Sequence, residues 1–432
     1  MISNRVEVKI AGGLNFPLNK MVRIQQHFDD KKIEDIESTI KEEFKQGSVR
    51  AKVVLGQEVA VGCGSRGVAN YAKITKTVIR ELIKLGAKPF IFPCMGSHGA
   101  ATAEGQKQVL ASYGISEKEM GVPIRATMDT KIVGKLEDGT PVHMDANAAD
   151  ADGIVVINRI KPHTAFRGST ESGLTKMLAI GIGKINGAAA YHQHGMDNFP
   201  AILPEVRDVN IRERNVLFGV GVVENAFDET AMIQVIPSDQ IAEREPTLLR
   251  YAKENMPELK FDNIDVLIID EIGKNISGAG FDPNITGRNR RGVEWNHRLN
   301  IKKIVALGLT KASQGNATGI GGADVTTMRL YKDINIGATY ANVITSMNLD
   351  GAAIPIIMNT DREAIALAIK TVVRTQPEQC RVVRIKNTLS LGEIEVSHNM
   401  LEGVRDNPNL FSIVSEPKDW NFDSRNVIEP FE

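Results

Sequence analysis

The residue types that can do chemistry are concentrated in one stretch, Arg159 to Gly195, RIKPHTAFRGSTESGLTKMLAIGIGKINGAAAYHQHG. It holds three of the chain's eight histidines, His163, His192 and His194, together with Lys161, Lys176 and Lys184. Imidazole is the usual general base near neutral pH and the commonest nitrogen ligand of metals, and a lysine amine can form a covalent bond. The stretch follows the apolar run Gly153–Ile157, which reads as a buried strand. Packing does not call for that mixture in a Gly-rich segment just past a strand, so it reads as an active-site segment.

Two earlier loops carry compatible groups. In Gly62-Cys63-Gly64-Ser65-Arg66-Gly67, Arg66 can anchor a carboxylate or phosphate through its fork, or simply form a surface salt bridge. In Cys94-Met95-Gly96-Ser97-His98-Gly99, the Gly-Ser-His-Gly turn favours an exposed imidazole at His98. His98 and His163 together suit removal of a proton from either face of a substrate. Lys176 stands at the edge of the apolar run Met177–Ile180. It is either a snorkelling lysine or a desolvated, nucleophilic amine. His192 and His194 lie two apart, so on a regular helix one can ligate a metal while the other points away. No H-E-x-x-H pattern offers a closed zinc site, and any metal needs ligands from elsewhere, for example from an organic cofactor. His143 reads as a surface or internally satisfied histidine.

Strands and helices must position these groups. Arg5–Ile10 alternates like a half-exposed strand, Glu34–Phe44 has the spacing of a surface helix, and Glu58–Val61 and Lys88–Pro93 read as strands. Ile74, Val78, Leu82 and Leu85 make one stripe of a helix from about Asn70 to Leu85, and a further helix begins near Thr102. Lys135–Met144 reads as a hairpin turning at Asp138-Gly139. Asn215–Gly221 reads as a strand and Arg244–Asn255 as a helix. After Asp262 come a fresh apolar strand (Val266–Glu271), a polar loop (Gly278–Arg288), a strand (Ile304–Leu309) and a Gly-rich segment (Gly315–Thr327). Helices over Ala338–Ser346 and Glu363–Val373 and a strand over Cys380–Ile385 close the pattern. Strands ending in Gly-rich loops that open helices are the α/β arrangement, with ligands at the carboxyl ends of parallel strands. There is no true G-x-G-x-x-G and no P-loop; Gly181-Ile182-Gly183-Lys184 resembles a phosphate loop only loosely.

At 432 residues the chain predicts two domains. A net charge of -1 gives no sequence-wide attraction to nucleic acid or anionic membrane. The cysteines, Cys63, Cys94 and Cys380, are scattered and odd in number, against a disulfide framework or clustered thiolate metal sites. The start MISNRVEVKIAGG lacks a basic segment followed by an apolar one, and no apolar run reaches membrane-spanning length, so a cytoplasmic protein is expected.

Taken in order, GSR at Arg66, GSH at His98, KPH at His163, SGLTK at Lys176 and AYH at His192 resemble the nickel-pincer lactate racemase family, which comprises 2-hydroxyacid racemases and epimerases. The later motifs Gly280–Arg288 and Gly322–Thr327 look like a divergent branch of it. The resemblance implies two α/β domains with mainly parallel strands and the active site in the interdomain cleft. The first would be an N-terminal cofactor-binding domain, residues 1–261 completed by 402–432, and the second a C-terminal substrate-binding or lid domain, residues 262–401.

The same resemblance implies nickel in a pyridinium-3-thioamide-5-thiocarboxylic acid mononucleotide, the nickel-pincer nucleotide, supplied by cofactor biosynthesis proteins. Lys176 would be its tether, His192 the nickel ligand with His194 as the alternative, and Ser65 and Arg66 further cofactor contacts. His98 and His163 would be the acid–base pair that inverts the Cα of a small hydroxyacid by proton-coupled hydride transfer. Substrate contacts fall to Arg66, Lys161, Lys311 and Asn316, with Gln314 and Trp295 as regional candidates. Two features depart from the family's pattern: Cys63 stands near the place of an expected aspartate, and His163 and Lys176 are thirteen residues apart. The rival functions are an oxidoreductase or lyase using the same cleft and a non-catalytic cofactor-binding protein. The protein would be a monomer or homo-oligomer.

Overall fold

The computed structural model describes residues 5–288 and 298–431. The chain divides into two compact units, Asp29–Met256 and Met1–Phe28 with Pro257–Glu432. Both are α/β. The boundaries expected from the sequence differ from this division at both termini. Residues 1–28 and 402–432 are expected in the first domain, but β1 (Met21–Gln26) is paired antiparallel with strands from the far end of the chain, and the tail bridges back to it at Met21 and Lys418. Arg5–Ile10 is not a strand. The backbone N–H and C=O of Val6 bond the Asn359 side chain instead of a neighbouring strand.

In the unit Asp29–Met256, α1 (Ile36–Glu43) precedes β2 (Glu58–Cys63), α2 (Tyr71–Lys84) and β3 (Lys88–Pro93). Helix α3 (Ala103–Ser112) is capped by Thr102, whose hydroxyl accepts the Gly105 N–H at 3.0 Å. The hairpin β4 (Thr130–Lys135) and β5 (Pro141–Asp145) follows, then β6 (Gly153–Arg159), which delivers the His/Lys-rich stretch. Helices α4 (Lys184–His192) and α5 (Phe199–Glu213) lead to β7 (Val216–Glu224), β8 (Thr230–Pro237) and α6 (Ile241–Asn255). The main sheet has the order β3-β2-β6-β7-β8, parallel except for the β7–β8 pair.

Residue alternation explains why this sheet is buried on both faces. Val59, Val61, Ile91, Val155 and Ile157 pack with Ile74, Val78 and Leu82 of α2 on one side. Ala60, Phe90, Phe92, Ile154 and Val156 pack with Leu178, Ile182, Leu248 and Leu249 on the other. Two covered faces are what a parallel sheet needs, and each buried aliphatic side chain contributes about 1.5–3 kcal/mol.

The other unit is built on an eight-stranded sheet. Its parallel part comprises β9 (Asn263–Ile272), β10 (Asn300–Leu309), β11 (Val325–Thr327), β12 (Ile356–Met358) and β13 (Val382–Ile385). The strands β14 (Glu393–Ser397), β1 and β15 (Phe411–Ile413) continue it antiparallel. Helices α7 (Ile336–Thr345) and α8 (Asp361–Lys370) fall near the expected helical spans. The motifs Gly280–Arg288 and Gly322–Thr327 meet in an Arg288–Asp324 ion pair, and Asp324 also accepts the Ile304 N–H at 2.7 Å. Among the described residues no helix is long and apolar enough to cross a membrane.

Candidate active site

The strand order fixes where a site can form. From β2 the chain crosses to β3 on one side, then returns past β2 to β6 on the other, so connections leave β2 and β6 in opposite directions. Such a switch point leaves a crevice at the carboxyl ends of the strands. A pocket of 130 Å³ lies there, lined by Ser65 and Arg66 after β2, Met95 and His98 after β3, Arg159 and Lys161 at the end of β6, and Lys176. Arg66, Arg159 and Lys161 make this lining cationic, which suits an anionic ligand.

His98 is held from the side of the imidazole that faces its own loop. Its Nδ1 lies 3.0 Å from the Met95 carbonyl oxygen and 2.9 Å from Ser65 Oγ. A carbonyl only accepts, so Nδ1 carries the proton and Nε2 is the basic nitrogen. Gln106 of α3 fixes the loop by donating to the carbonyls of Gly96 (2.9 Å) and His98 (3.1 Å). Gly99 is obligatory: its φ is +65°, and a Cβ would meet the Gln106 backbone nitrogen at 2.6 Å. Ala100 and Ala101 are also left-handed, with φ of 55° and 53°, a cost of about 1–2 kcal/mol each that the loop sustains beside His98.

The GIGK resemblance to a phosphate loop ends at the buried Lys184. It pairs with Asp145 at 2.9 Å, both side chains being 0% exposed, and donates to Gln106 Oε1 at 2.9 Å. That lysine braces the His98 loop from below.

The second corner joins His163 and Lys176, whose Nε2 and Nζ lie 2.7 Å apart. The Ala165 N–H donates to His163 Nδ1 at 3.1 Å, so the neutral ring carries its proton on Nε2. Nε2–H then donates, and Lys176 must accept through the lone pair of an uncharged amine. Burial, with Arg66 and Lys161 adding like charge, lowers the Lys176 pKa to about 7. The amine stands in a short helical turn, Leu174–Lys176, that runs directly into a π-helical turn, Met177–Gly181. π-turns recur at functional sites because they re-aim side chains that an α-helix would align.

Two buried carboxylates hold this corner. Glu171 accepts the His163 N–H at 2.6 Å and is paired with Arg167 at 3.1 Å and Lys253 at 2.7 Å, which meets the otherwise large cost of burying its charge. Glu245 of α6 accepts the N–H of Thr175 at 3.0 Å and its hydroxyl at 2.5 Å. A Cβ on Gly173 would collide with that Glu245 carboxylate, so the turn before Lys176 needs glycine.

His192 donates from Nδ1 to the Ala188 carbonyl at 2.6 Å, which leaves Nε2 as the nitrogen with a lone pair, the form a metal ligand needs. Its ring packs edge-on against Phe199 (5.1 Å), which packs on Phe166 (5.5 Å), which packs on His163 (4.4 Å). His194 turns to the hairpin: Nε2 lies 3.0 Å from Thr140 Oγ1 and Nδ1 lies 3.7 Å from Asp138. Among the described residues no three His, Cys, Asp or Glu side chains gather to hold a metal ion.

The family model of the lactate racemase N-terminal domain matches residues 16–202. Over that span the chain is lactate racemase-like. The solved structure of the lactate racemase apoprotein from Thermoanaerobacterium thermosaccharolyticum is similar, with a TM-score of 0.50 and 12% identity over 86% of this chain and 99% of that one. A crystal structure of a protein from Thermotoga maritima gives a TM-score of 0.50 and 14% identity over 84% and 99% of the two chains. At these identities the likeness shows the α/β fold. No curated protein matches the chain.

Every residue that the lactate racemase resemblance points to before residue 202 therefore lies inside the matched domain, and Ser65, Arg66, His98, Lys161 and Lys176 line one pocket within it. Lys311 and Asn316 belong to the other unit. Lys311 is exposed in a turn after β10, and the Asn316 side chain accepts from the N–H and hydroxyl of Thr318 at 3.1 and 2.7 Å. Gln314 lies near them with a left-handed φ of 49°, and Trp295 lies outside the described residues. Cys63 is fully buried at the end of β2, its thiol pushed up to about 12 by burial, and so is not a ligand. His143 is internally satisfied, its Nδ1 3.0 Å from Thr130 Oγ1.

Residue types and spacing did not reveal Arg159, Gln106, Glu171 or Glu245. Arg159 alone left a trace, as a cation closing a buried strand. It pairs with Glu224, whose other oxygen accepts the Ala69 N–H at 2.6 Å and so ties the arginine to the start of α2.

Proposed function

We propose that the protein is a racemase or epimerase that inverts the Cα of a 2-hydroxyacid. The observation that supports this reading is a pair of imidazoles whose contacts call for opposite tautomers, His98 in the lining of a cationic pocket and His163 bonded to Lys176 of that lining. His98 presents a basic Nε2, and His163 presents Nε2–H. Inversion needs one group to take the hydroxyl proton and, on the way back, another to return it, with the roles exchanged for the other enantiomer. Arg66 and Lys161 hold the carboxylate, and Arg159 adds positive charge beside them.

The residues fit a nickel-pincer nucleotide. Lys176 offers an uncharged amine for the tether, His192 offers one imidazole lone pair, and the cationic lining with Ser65 suits a phosphate. One protein donor is the right number for a metal whose other donors come from the organic group. Bound there, that cofactor supplies acceptance and return of the Cα hydride. The chain's own residues orient the acid, carry the hydroxyl proton and hold the histidines against α3 and α6. The cofactor's biosynthesis proteins are then obligate partners for activity.

The test uses protein made with those biosynthesis proteins and enantiomers of small 2-hydroxyacids, lactate and malate first, carrying deuterium at Cα. Inversion with the label retained supports the reading. Complete wash-out of deuterium at the rate of inversion contradicts hydride return, and net accumulation of a 2-oxoacid selects the oxidoreductase alternative.

A further inference from the structure

The His163–Lys176 pair has a capability that does not depend on any bound cofactor. We infer that Lys176 and His163 form an imine-forming dyad that captures small 2-oxoacids, with Arg66 holding the carboxylate. Three observations meet here. The hydrogen-bond pattern leaves Lys176 an uncharged amine, because His163 Nδ1 is occupied by the Ala165 N–H and Nε2–H must donate. The amine lines an open pocket, so a carbonyl carbon can reach it, and Arg66 lines the same pocket. The imidazole that touches the amine is itself a proton donor, held by Glu171 through the His163 backbone N–H at 2.6 Å.

The chemistry balances without an oxidant or reductant. Nζ turns its lone pair from His163 Nε2–H to the C2 carbonyl carbon, forming the C–N bond while the carbonyl π pair moves to oxygen. His163 gives Nε2–H to that oxygen and takes a proton from Nζ, which leaves a neutral carbinolamine and a neutral imidazole. The nitrogen lone pair then expels the hydroxyl, which departs as water with the second amine proton. The products are an imine and water. A lysine with a pKa near 7 is half uncharged at neutral pH, where an ordinary lysine near 10.5 is almost wholly charged.

The experiment uses the full-length protein purified without the cofactor biosynthesis proteins, incubated with pyruvate and sodium borohydride, which reduces the imine to a stable secondary amine. Peptide mass analysis is expected to place the adduct on Lys176, with the labelling rate rising through about pH 7. Lys176→Ala abolishes that adduct. His163→Ala slows it by about 10²-fold, the usual size of a general acid–base contribution. Acetone, which lacks the carboxylate, labels more slowly than pyruvate. An adduct spread over surface lysines, equal labelling by acetone, or a Lys176 adduct whose rate rises only near pH 10.5 would overturn the inference. The wild-type pH profile carries the test if His163→Ala does not fold. The result is independent of the racemase reading: a protein that captures pyruvate yet takes up no nickel sinks only that reading, and a nickel-loaded racemase whose cofactor-free form ignores pyruvate sinks only this one.

Discussion

His98 and His163 sit in loops that follow parallel strands of one sheet, and the fold treats them differently. His98 is held through its own ring nitrogen, by a backbone carbonyl and a serine hydroxyl, in an exposed turn with two left-handed alanines. His163 is held through its backbone, by a buried carboxylate that is paired with two cations, and its ring is turned onto a lysine amine. The first arrangement fixes Nδ1 of His98 as the protonated ring nitrogen. The second sets a donor whose partner, Lys176, is tuned by burial. The difference teaches that two histidines after parallel strands of one sheet can present opposite ring nitrogens, Nδ1 of His98 being turned to its own loop and Nε2 of His163 to Lys176.

The largest break of this contrast is at the amine. Lys176→Ala removes the proposed tether and the partner of His163 together, and hydroxyacid racemisation by protein made with the biosynthesis enzymes should fall below detection, read with bound nickel. His163→Asn and His98→Asn keep a polar side chain but cannot cycle a proton. Each should lower kcat by about 10²–10⁴-fold with bound nickel retained. Unequal losses for the two directions of inversion would sharpen the assignment of base and acid.

A smaller effect is expected from Glu171→Gln, which keeps the shape but weakens the acceptor of the His163 N–H. Loss of position without loss of the imidazole should cost about tenfold in kcat with little change in KM. Loss of folding cooperativity in thermal melts would show that Glu171 serves packing alone.

A further effect is thermodynamic. The Lys176 pKa is lowered from 10.5 to about 7, so between those values the unfolded chain binds a proton that the folded chain lacks. Stability from this site therefore rises with pH across that window and is reduced below it. Lys176→Met should flatten the pH dependence of denaturant midpoints between pH 7 and 10.5 relative to the wild type.

Much of the frame was legible because periodicity reports burial. The stripe Ile74, Val78, Leu82 and the runs ending in Cys63, Pro93 and Arg159 point directly to α2, β2, β3 and β6. Loops after such strands are where ligands gather, and the structure places His98 and Lys176 in one pocket lining with His163 against the lysine. The supports were not legible. Glu245 reaches Thr175 from 70 positions away, and Gln106 reads as a surface residue of a helix, so no local pattern marks either as the holder of a loop. β1 was not legible for a related reason: its partners lie at the other end of the chain, and local alternation at Arg5–Ile10 was the stronger signal. Gly181–Lys184 resembles a phosphate loop only loosely because the same composition suits a tight turn around a buried lysine.

The central claim is that Lys176 and His192 serve a nickel-bearing nucleotide. Intact mass and metal analysis of the protein produced together with the cofactor's biosynthesis enzymes tests it most directly. The expected result is one nickel per chain and an added nucleotide-sized mass on the peptide holding Lys176, both lost in Lys176→Ala. An unmodified, nickel-free protein under those conditions would contradict it.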